Sequence, residues 1–96
     1  MRKANDQKIN EVLADLLKAY RLEGKYAEAM VIGAWPEIMG LAVANRTTEL
    51  RFSEGKLFVT INSASLRQEL FIAKEKIIQL LNEAAGSAAV KEIVFR

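Results

Sequence analysis

Side chains capable of chemistry are few in this 96-residue chain, which contains no histidine and no cysteine. The chain therefore lacks the commonest general base near neutral pH, the commonest thiol nucleophile and the best ligands for zinc or iron. Its nearest approach to grouped carboxylates is Glu37, Glu49 and Glu54, where solvent exposure is the default. It has no glycine-rich phosphate loop, nucleophile–base pair or metal-ligand spacing. We expect a protein that acts by contact, with no enzymatic activity, metal or cofactor.

Basic residues offer one contact chemistry, the binding of phosphate groups. Four cations fall at predicted strand ends or on the outer face of a predicted hairpin: Arg46, Arg51, Lys56 and Arg96. Phe58 shares the outward face of its strand, where it could stack on a base. Glu49 and Glu54 lie among these cations and would dilute the field, so an ordinary charged surface is the alternative. The net charge of +2 favours no partner class by itself.

The third predicted helix carries a second contact chemistry. A basic and apolar strip adjoins the arc that this helix would bury, and it consists of Arg67, Phe71, Lys74 and Ile78. Such a mixed surface suits the docking of a partner helix, with apolar anchors and cationic rims. In the alternative interpretation, Phe71 and Ile78 contact the first helix while the two cations lie over them.

Hydrophobic periodicity predicts two helical segments in the first half of the chain. The first carries an apolar stripe with a 3.6-residue period, at Ile9, Val12, Leu13, Leu16, Leu17 and Tyr20. Gly24 is expected to end this helix. The second pattern runs over residues 27–42, and Pro36 inside it predicts a break or kink at residues 33–35, with Pro36 in the first turn of a continuing short helix.

The second half of the chain predicts a hairpin, a long helix and a last strand. Alternation indicates strands at 47–52 and 56–62, joined by a tight turn in which Gly55 supplies a positive φ. The long helix begins at 63–65, where Ser65 and Gln68 fit a capping box, and it ends at Gly86. The final strand, 90–95, should lie parallel to the strand before the helix. The sequence therefore predicts one α+β domain over residues 1–96, ordered α-α-β-β-α-β, with helices on one face of a three-stranded mixed sheet.

Trp35 and Gly40 are expected to be structural. Trp35 is the only tryptophan and lies on the apolar stripe of the second helical segment. We expect it in the core, although tryptophan is also enriched as an anchor at protein interfaces. Gly40 is expected where two backbones approach closely.

Composition places the protein in the cytoplasm. Hydrophobic residues make up 51% of the chain and charged residues 27%, as in soluble globular proteins. The longest apolar run is far shorter than the ~20 residues of a membrane span, and the lack of cysteine is compatible with the cytoplasm. We expect neither a membrane nor a small molecule among its partners.

Several short motifs, each weak by itself, follow one another in a characteristic order over residues 31–96. Trp35, Ile38, Gly40, Ala44 and Thr47 follow the spacing W-x-x-I-x-G-x-x-x-A-x-x-T. After these come a turn and strand at 55–59, the run 62–65 leading to 68–70, and the closing residues 93–96. In this order the chain resembles the DciA-like family. The resemblance implies a KH-like fold and a role as loader or regulator of the bacterial replicative helicase at replication initiation.

Two departures from the family pattern accompany this resemblance. Family members commonly carry a long disordered extension, whereas this chain stops at its last predicted strand, and Leu66 stands where an aromatic residue is common. We therefore expect a minimal or specialised member. The glycines, at positions 24, 33, 40, 55 and 86, form no G-x-x-G pair, which argues against KH-type clamping of a nucleic-acid strand.

Three functions remain open at this point. The first is a non-catalytic adaptor in bacterial DNA replication that binds the replicative helicase and DNA. The second is a general nucleic-acid-binding KH-like module without a helicase partner. The third is a structural protein that self-associates through the exposed edge of its sheet.

Overall fold

The computed structural model describes residues 2–96, with side chains described from residue 8 onward. Within residues 2–96, five helices and three strands follow one another. They are α1 (Arg2–Tyr20), α2 (Glu23–Met39), α3 (Leu41–Arg46), β1 (Thr47–Ser53), β2 (Lys56–Ile61), α4 (Ala64–Ile72), α5 (Lys74–Ala85) and β3 (Glu92–Phe95). The predicted α+β class is confirmed, and the arrangement is consistent with a KH-like fold.

The three strands form one mixed sheet, as predicted, and their order in it is β1-β2-β3. β1 and β2 are antiparallel, and β2 and β3 are parallel. The hairpin turns through Glu54 and Gly55, which both have positive φ values (51° and 81°). Two successive positive φ values match the twist of a two-residue hairpin, so the chain reverses direction without splaying the strands. The Gly55 carbonyl also accepts from the main-chain N–H of Lys91, which fixes the entry to β3.

The core fills the space between one face of this sheet and helices α2, α4 and α5. Its largest fully buried side chains are Trp35, Leu57, Ile61, Leu81, Val31, Val59 and Val90. The Trp35 indole N–H donates to the Thr47 hydroxyl at 3.0 Å, and that hydroxyl donates to the Val43 carbonyl at 2.8 Å. Trp35 therefore lies in the core and also ties α2 to the start of β1.

Of the break or kink predicted at residues 33–35, the break is absent, because α2 runs through Pro36 to Met39. Proline costs the helix one main-chain hydrogen bond. The buried Val31 and Trp35 hold the helix on the sheet across that loss. The chain leaves the helix at Gly40, where φ is +86°. A side chain at Gly40 would meet no atom within 4 Å, so the glycine serves this backbone angle and not a close approach of two backbones.

The single long helix predicted after the hairpin is divided into α4 and α5. Ala73 separates them, with φ −92° and ψ 10°, and its main chain still bonds both helices. The N-cap is Ser63, whose hydroxyl accepts from the Leu66 N–H at 3.3 Å, so the predicted capping box at Ser65 is wrong. Gly86 ends α5 in the left-handed conformation, as expected.

Helix α1 stands apart from this core. It ends at Tyr20, and Arg21 makes the turn with φ +56°, so the end predicted at Gly24 is wrong. The predicted apolar stripe is largely exposed, since Ile9 is 64% and Leu16 50% accessible, while Leu13 and Leu17 are half-buried. Among the described residues, no helix combines the length and the apolar character needed to cross a membrane.

Candidate partner and nucleic-acid interfaces

The outer face of the sheet gathers two of the predicted phosphate-binding cations around one aromatic ring. Arg51 lies directly across from Phe58 in the β1–β2 register. Its guanidinium carbon is 4.9 Å from the centre of the Phe58 ring, and that of Arg96 is 5.0 Å from the same point. Attraction between the cations and the ring orients both side chains. We call Arg51, Phe58 and Arg96 the sheet patch.

Glu49 lowers the positive charge of the sheet patch. Its carboxylate accepts from the Thr60 hydroxyl at 3.4 Å and lies 3.9 Å from the Arg96 guanidinium. Both charged side chains of this pair are about half exposed, so the ion pair is weak and exchanges readily with solvent. Arg51 and Arg96 therefore keep donors available for a phosphate group, which a guanidinium can bind through two parallel hydrogen bonds.

The other two predicted cations lie away from the sheet patch. Arg46 is exposed at the end of α3, where its carbonyl accepts from the Asn62 N–H. Lys56 begins β2 and lines a cleft with Lys74 and Glu92. The structure thus brings together Arg51 and Arg96 but not all four residues.

A cleft runs beside β3, between that strand and the residues around the α4–α5 junction. It comprises two adjoining concave surfaces of about 310 Å³ and about 480 Å³ that share two aromatic side chains. We call this surface the β3 cleft, and its principal residues are Arg67, Phe71, Lys74, Glu92 and Phe95. Phe71 is 57% exposed at its centre. An exposed aromatic ring between cations is the kind of surface that protein partners use.

Ion pairs and hydrogen bonds order the walls of the β3 cleft. The Lys74 ammonium lies 5.1 Å from the centre of the Phe71 ring and 3.5 Å from a Glu92 carboxylate oxygen. The same carboxylate accepts from the Ile93 main-chain N–H at 3.0 Å. That hydrogen bond, followed by the charge of Lys74, lowers the pKa of Glu92 below its ordinary value. At the other end, the Arg67 guanidinium donates to the Ile61 carbonyl at 2.6 Å.

Three of the four residues predicted for partner binding meet at this cleft. Ile78 does not, because it lies half-buried against the core on α5, beyond the Ala73 junction. The sequence reasoning missed Glu92 and Phe95. The signal available was the parallel placement of the last strand, which puts its free edge beside the third predicted helix.

The described part of the chain contains no group of three or more carboxylate, histidine or cysteine side chains that could hold a metal ion. The two surfaces described above are therefore the candidate sites, and both are suited to binding by contact.

A comparison with protein families identifies the chain. The family model described as "Dna[CI] antecedent, DciA" matches residues 8–95, which include nearly every described residue. The chain belongs to the DciA family. The resemblance carried by the Trp35 and Gly40 motif is confirmed, and the match also takes in most of α1, which the sequence resemblance did not cover.

Several proteins similar to this chain come from mycobacteria. A UPF0232 protein of Mycobacterium ulcerans is 28% identical over 87 residues, covering 91% of this chain and 46% of the relative. A UPF0232 protein of Mycobacterium marinum matches to the same extent. In Mycolicibacterium smegmatis, a "UPF0232 protein in recF-gyrB intergenic region" is 27% identical over 84 residues, covering 88% of this chain and 43% of the relative. The chain therefore spans less than half the length of these relatives.

Proposed function

We propose that this domain is a non-catalytic adaptor in bacterial DNA replication, where it binds the replicative helicase and DNA in the cytoplasm. The observation that carries the proposal is the DciA family match over residues 8–95, whose description names an antecedent of Dna[CI]. The absence of histidine and cysteine from the sequence fits an activity that depends on contact alone.

The helicase-binding surface in this proposal is the β3 cleft. Phe71 offers a large, exposed apolar ring at the centre of the cleft, and aromatic residues supply much of the binding energy at protein interfaces. Arg67 and Lys74 form a positive rim on either side of the ring. The complementary surface on the helicase would be an apolar side chain flanked by carboxylates.

The DNA-binding surface in this proposal is the sheet patch. Arg51 and Arg96 supply the phosphate contacts, while Phe58 holds both guanidiniums in place through its ring. Successive residues of a strand point to opposite faces, so Arg96 serves the outer face while Phe95 serves the β3 cleft. A domain with two separate surfaces can hold helicase and DNA together and raise the local concentration of one at the other.

Titration of the labelled domain with the purified replicative helicase tests the first surface. We expect saturable binding that Phe71→Glu weakens at least tenfold, because the substitution places a carboxylate where an apolar ring docks. Ile72→Glu is the matched control, since Ile72 is the next residue, is 75% exposed and lies outside the β3 cleft. Equal loss in both variants would remove the cleft as the interface, and no binding of the wild type up to tens of micromolar would remove the helicase role.

Salt-dependent binding of single-stranded and duplex oligonucleotides tests the second surface. We expect Arg96→Ala to reduce the slope of log K against log salt by about 0.7–0.9, the loss of one phosphate contact. Lys76→Ala is the control, because Lys76 is an exposed cation on α5 outside both candidate surfaces. Equal slopes in the two variants would contradict a DNA role for the sheet patch.

The sheet patch also supports a second candidate function, a nucleic-acid-binding module without a helicase partner. This function becomes the better account if oligonucleotides bind with the expected salt dependence while the helicase does not bind at all.

A further inference from the structure

Strand β1 forms a long open edge of the sheet. It has seven residues, and within residues 2–96 it pairs with β2 on one side only. The unpaired main-chain groups of such an edge are a template for another strand. Proteins commonly protect an edge with proline, with charged side chains such as lysine, or with a bulge. Strand β1, with the sequence TTELRFS, contains no proline and no lysine, its two charges have opposite signs, and its irregularity is confined to the end between Thr47 and Glu49.

Side-chain contacts protect the other edge of the same sheet, β3. Of the two edges, β1 is therefore the one available to pair with another strand. On β3, the Glu92 carboxylate accepts the Ile93 N–H at 3.0 Å, and Lys74 holds that carboxylate at 3.5 Å. β3 is also only four residues long. A strand added there would have to displace the Lys74–Glu92 ion pair, whereas β1 carries only the longer and more exposed ion pair of Glu49 with Arg96.

The free main-chain groups of β1 belong to alternate residues. Ser53 and Lys56 flank the two-residue turn and form a hydrogen-bonded pair, so Arg51 and Glu49 also direct their main chain to β2. Leu50 and Phe52 therefore direct their N–H and C=O groups away from β2. The irregularity in the pairing lies between Thr47 and Glu49, which leaves residues 49–53 regular.

The charges on β1 select a partner strand and a register. Glu49 and Arg51 are both exposed, have opposite signs, and lie two residues apart on the outer face. When β1 meets an antiparallel copy of itself with Leu50 opposite Leu50, each Glu49 faces an Arg51 of the other copy. Shifting the centre to Glu49 or to Arg51 places like charges opposite each other, which destabilises a pair of strands.

We propose that β1 pairs with β1 of a second copy of this chain, antiparallel and centred on Leu50, to form a continuous six-stranded sheet. This interface is isologous, as in most dimers with twofold symmetry. The inference is independent of the proposed helicase and DNA functions.

Pairing in this register places both outer sheet faces on the same side of the dimer. The twofold axis runs through the Leu50 pair, perpendicular to the sheet. The two Phe58 residues then lie three strand spacings apart across the sheet and two residues apart along it, roughly 16 Å in all. The two sheet patches then lie on the same side of the dimer, where each Arg51 pairs with Glu49 of the other copy and each Arg96 stays exposed.

The dimer should be weak because the interface is small. One strand of seven residues buries less than the roughly 800 Å² per partner that a standard stable interface buries. We expect a dissociation constant on the order of tens of micromolar, which sedimentation equilibrium of the full chain measures directly.

Charge exchange on β1 tests the proposal. Glu49→Arg alone and Arg51→Glu alone each place like charges opposite each other twice, so each should raise the dimer dissociation constant roughly tenfold or more. The double variant E49R/R51E restores opposite charges and should dimerise like the wild type. An equimolar mixture of the two single variants should form heterodimers, because the two β1 arginines of one chain then face the two β1 glutamates of the other.

The mixture separates pairing between chains from contacts within one chain. Each single variant also loses a contact of its own, either with Arg96 or with Phe58, and mixing cannot restore that contact. Leu16→Glu on α1 is the control for association through the exposed apolar stripe, and we expect it to leave the dimer unchanged. A wild type that stays monomeric at several hundred micromolar overturns the proposal. So do single variants that dimerise like the wild type, or a dimer that only Leu16→Glu abolishes.

Discussion

Helices α1 and α5 are both amphipathic, and they use their apolar sides in opposite ways. α5 directs Ile77 and Leu81 into the core, where Leu81 is completely buried. α1 has a longer stripe of the same period, yet none of its described side chains is buried. No side chain of residues 8–20 hydrogen-bonds to another element. The two helices differ in what lies opposite them.

Hydrophobic periodicity therefore predicts which side of a helix is apolar, but it does not predict what that side packs against. α5 returns the chain from α4 to β3, and this connection holds it over the inner face of the sheet. α1 contacts the domain mainly where it meets α2, and the Leu22 N–H donates to the Leu17 carbonyl at that end. The inner face of the sheet is covered by α2, α4 and α5, so it has no room for the stripe of α1.

The largest effect on stability should come from shortening a buried leucine on α5. Leu81→Ala removes packing from a fully buried site and should lower the free energy of unfolding by about 2–5 kcal/mol. Urea denaturation followed by circular dichroism measures the change. A loss under 1 kcal/mol would mean that the α5 side of the core can collapse around the cavity.

A smaller loss of stability should follow from removing the hydrogen bonds that join α5 to the segment leading into β3. The Asn82 side chain accepts from the Val90 N–H at 2.9 Å and donates to the Val90 carbonyl at 3.0 Å. Asn82→Ala leaves both main-chain groups without this partner and should cost about 1–3 kcal/mol of unfolding free energy. Hydrogen exchange should show faster exchange at Val90 and in β3, whereas unchanged protection there would contradict the role of this side chain.

The same leucine-to-alanine change on α1 should have almost no effect on the isolated domain. Leu16 is half exposed, so Leu16→Ala should change the unfolding free energy by less than about 0.5 kcal/mol, as at ordinary surface positions. The measurement is the one used for Leu81→Ala, with both variants at low concentration. A loss above about 1.5 kcal/mol would show that the α1 stripe is covered in solution.

The smallest effect concerns pH at the β3 edge. The pKa of Glu92 is lowered by the Ile93 N–H and by Lys74, so its ionised form is favoured in the folded state. This contribution is present above the ordinary glutamate pKa of about 4.3 and is lost as the pH falls through the lowered value. A carboxyl titration followed by NMR should give a Glu92 pKa below the ordinary one. Lys74→Ala should move it back toward that value without restoring it fully, because the Ile93 N–H remains.

Much of the sheet could be predicted from the sequence because strand signals here are local. Alternating residues and the Glu54–Gly55 turn located β1 and β2, and the intervening helix made β3 parallel. The helix boundaries were harder to predict. Pro36 and Gly24 are helix breakers by propensity, yet both lie inside α2, since the burial of Val31 and Trp35 outweighs a local cost.

The candidate surfaces were predicted in part. Alternation along strands placed Arg51 and Phe58 on one outer face, but their grouping with Arg96 depends on the parallel pairing of β3. The prediction that Arg67, Phe71, Lys74 and Ile78 form one strip assumed a single continuous helix. The junction at Ala73 redirects the chain, so Lys74 turns to Glu92 at the β3 edge while Ile78 packs on the core.

The α+β class, the hairpin, the parallel last strand and the DciA resemblance could all be predicted from residue patterns alone. These depend on residue patterns within a few turns or strands of one another, where propensity and periodicity act directly. Three features emerge only from the packing of the whole domain: α1 exposes its stripe, Phe71 borders β3 and β1 is the open edge. Those outcomes depend on which apolar face reaches the inner face of the sheet, and a face that is already covered cannot accept another helix.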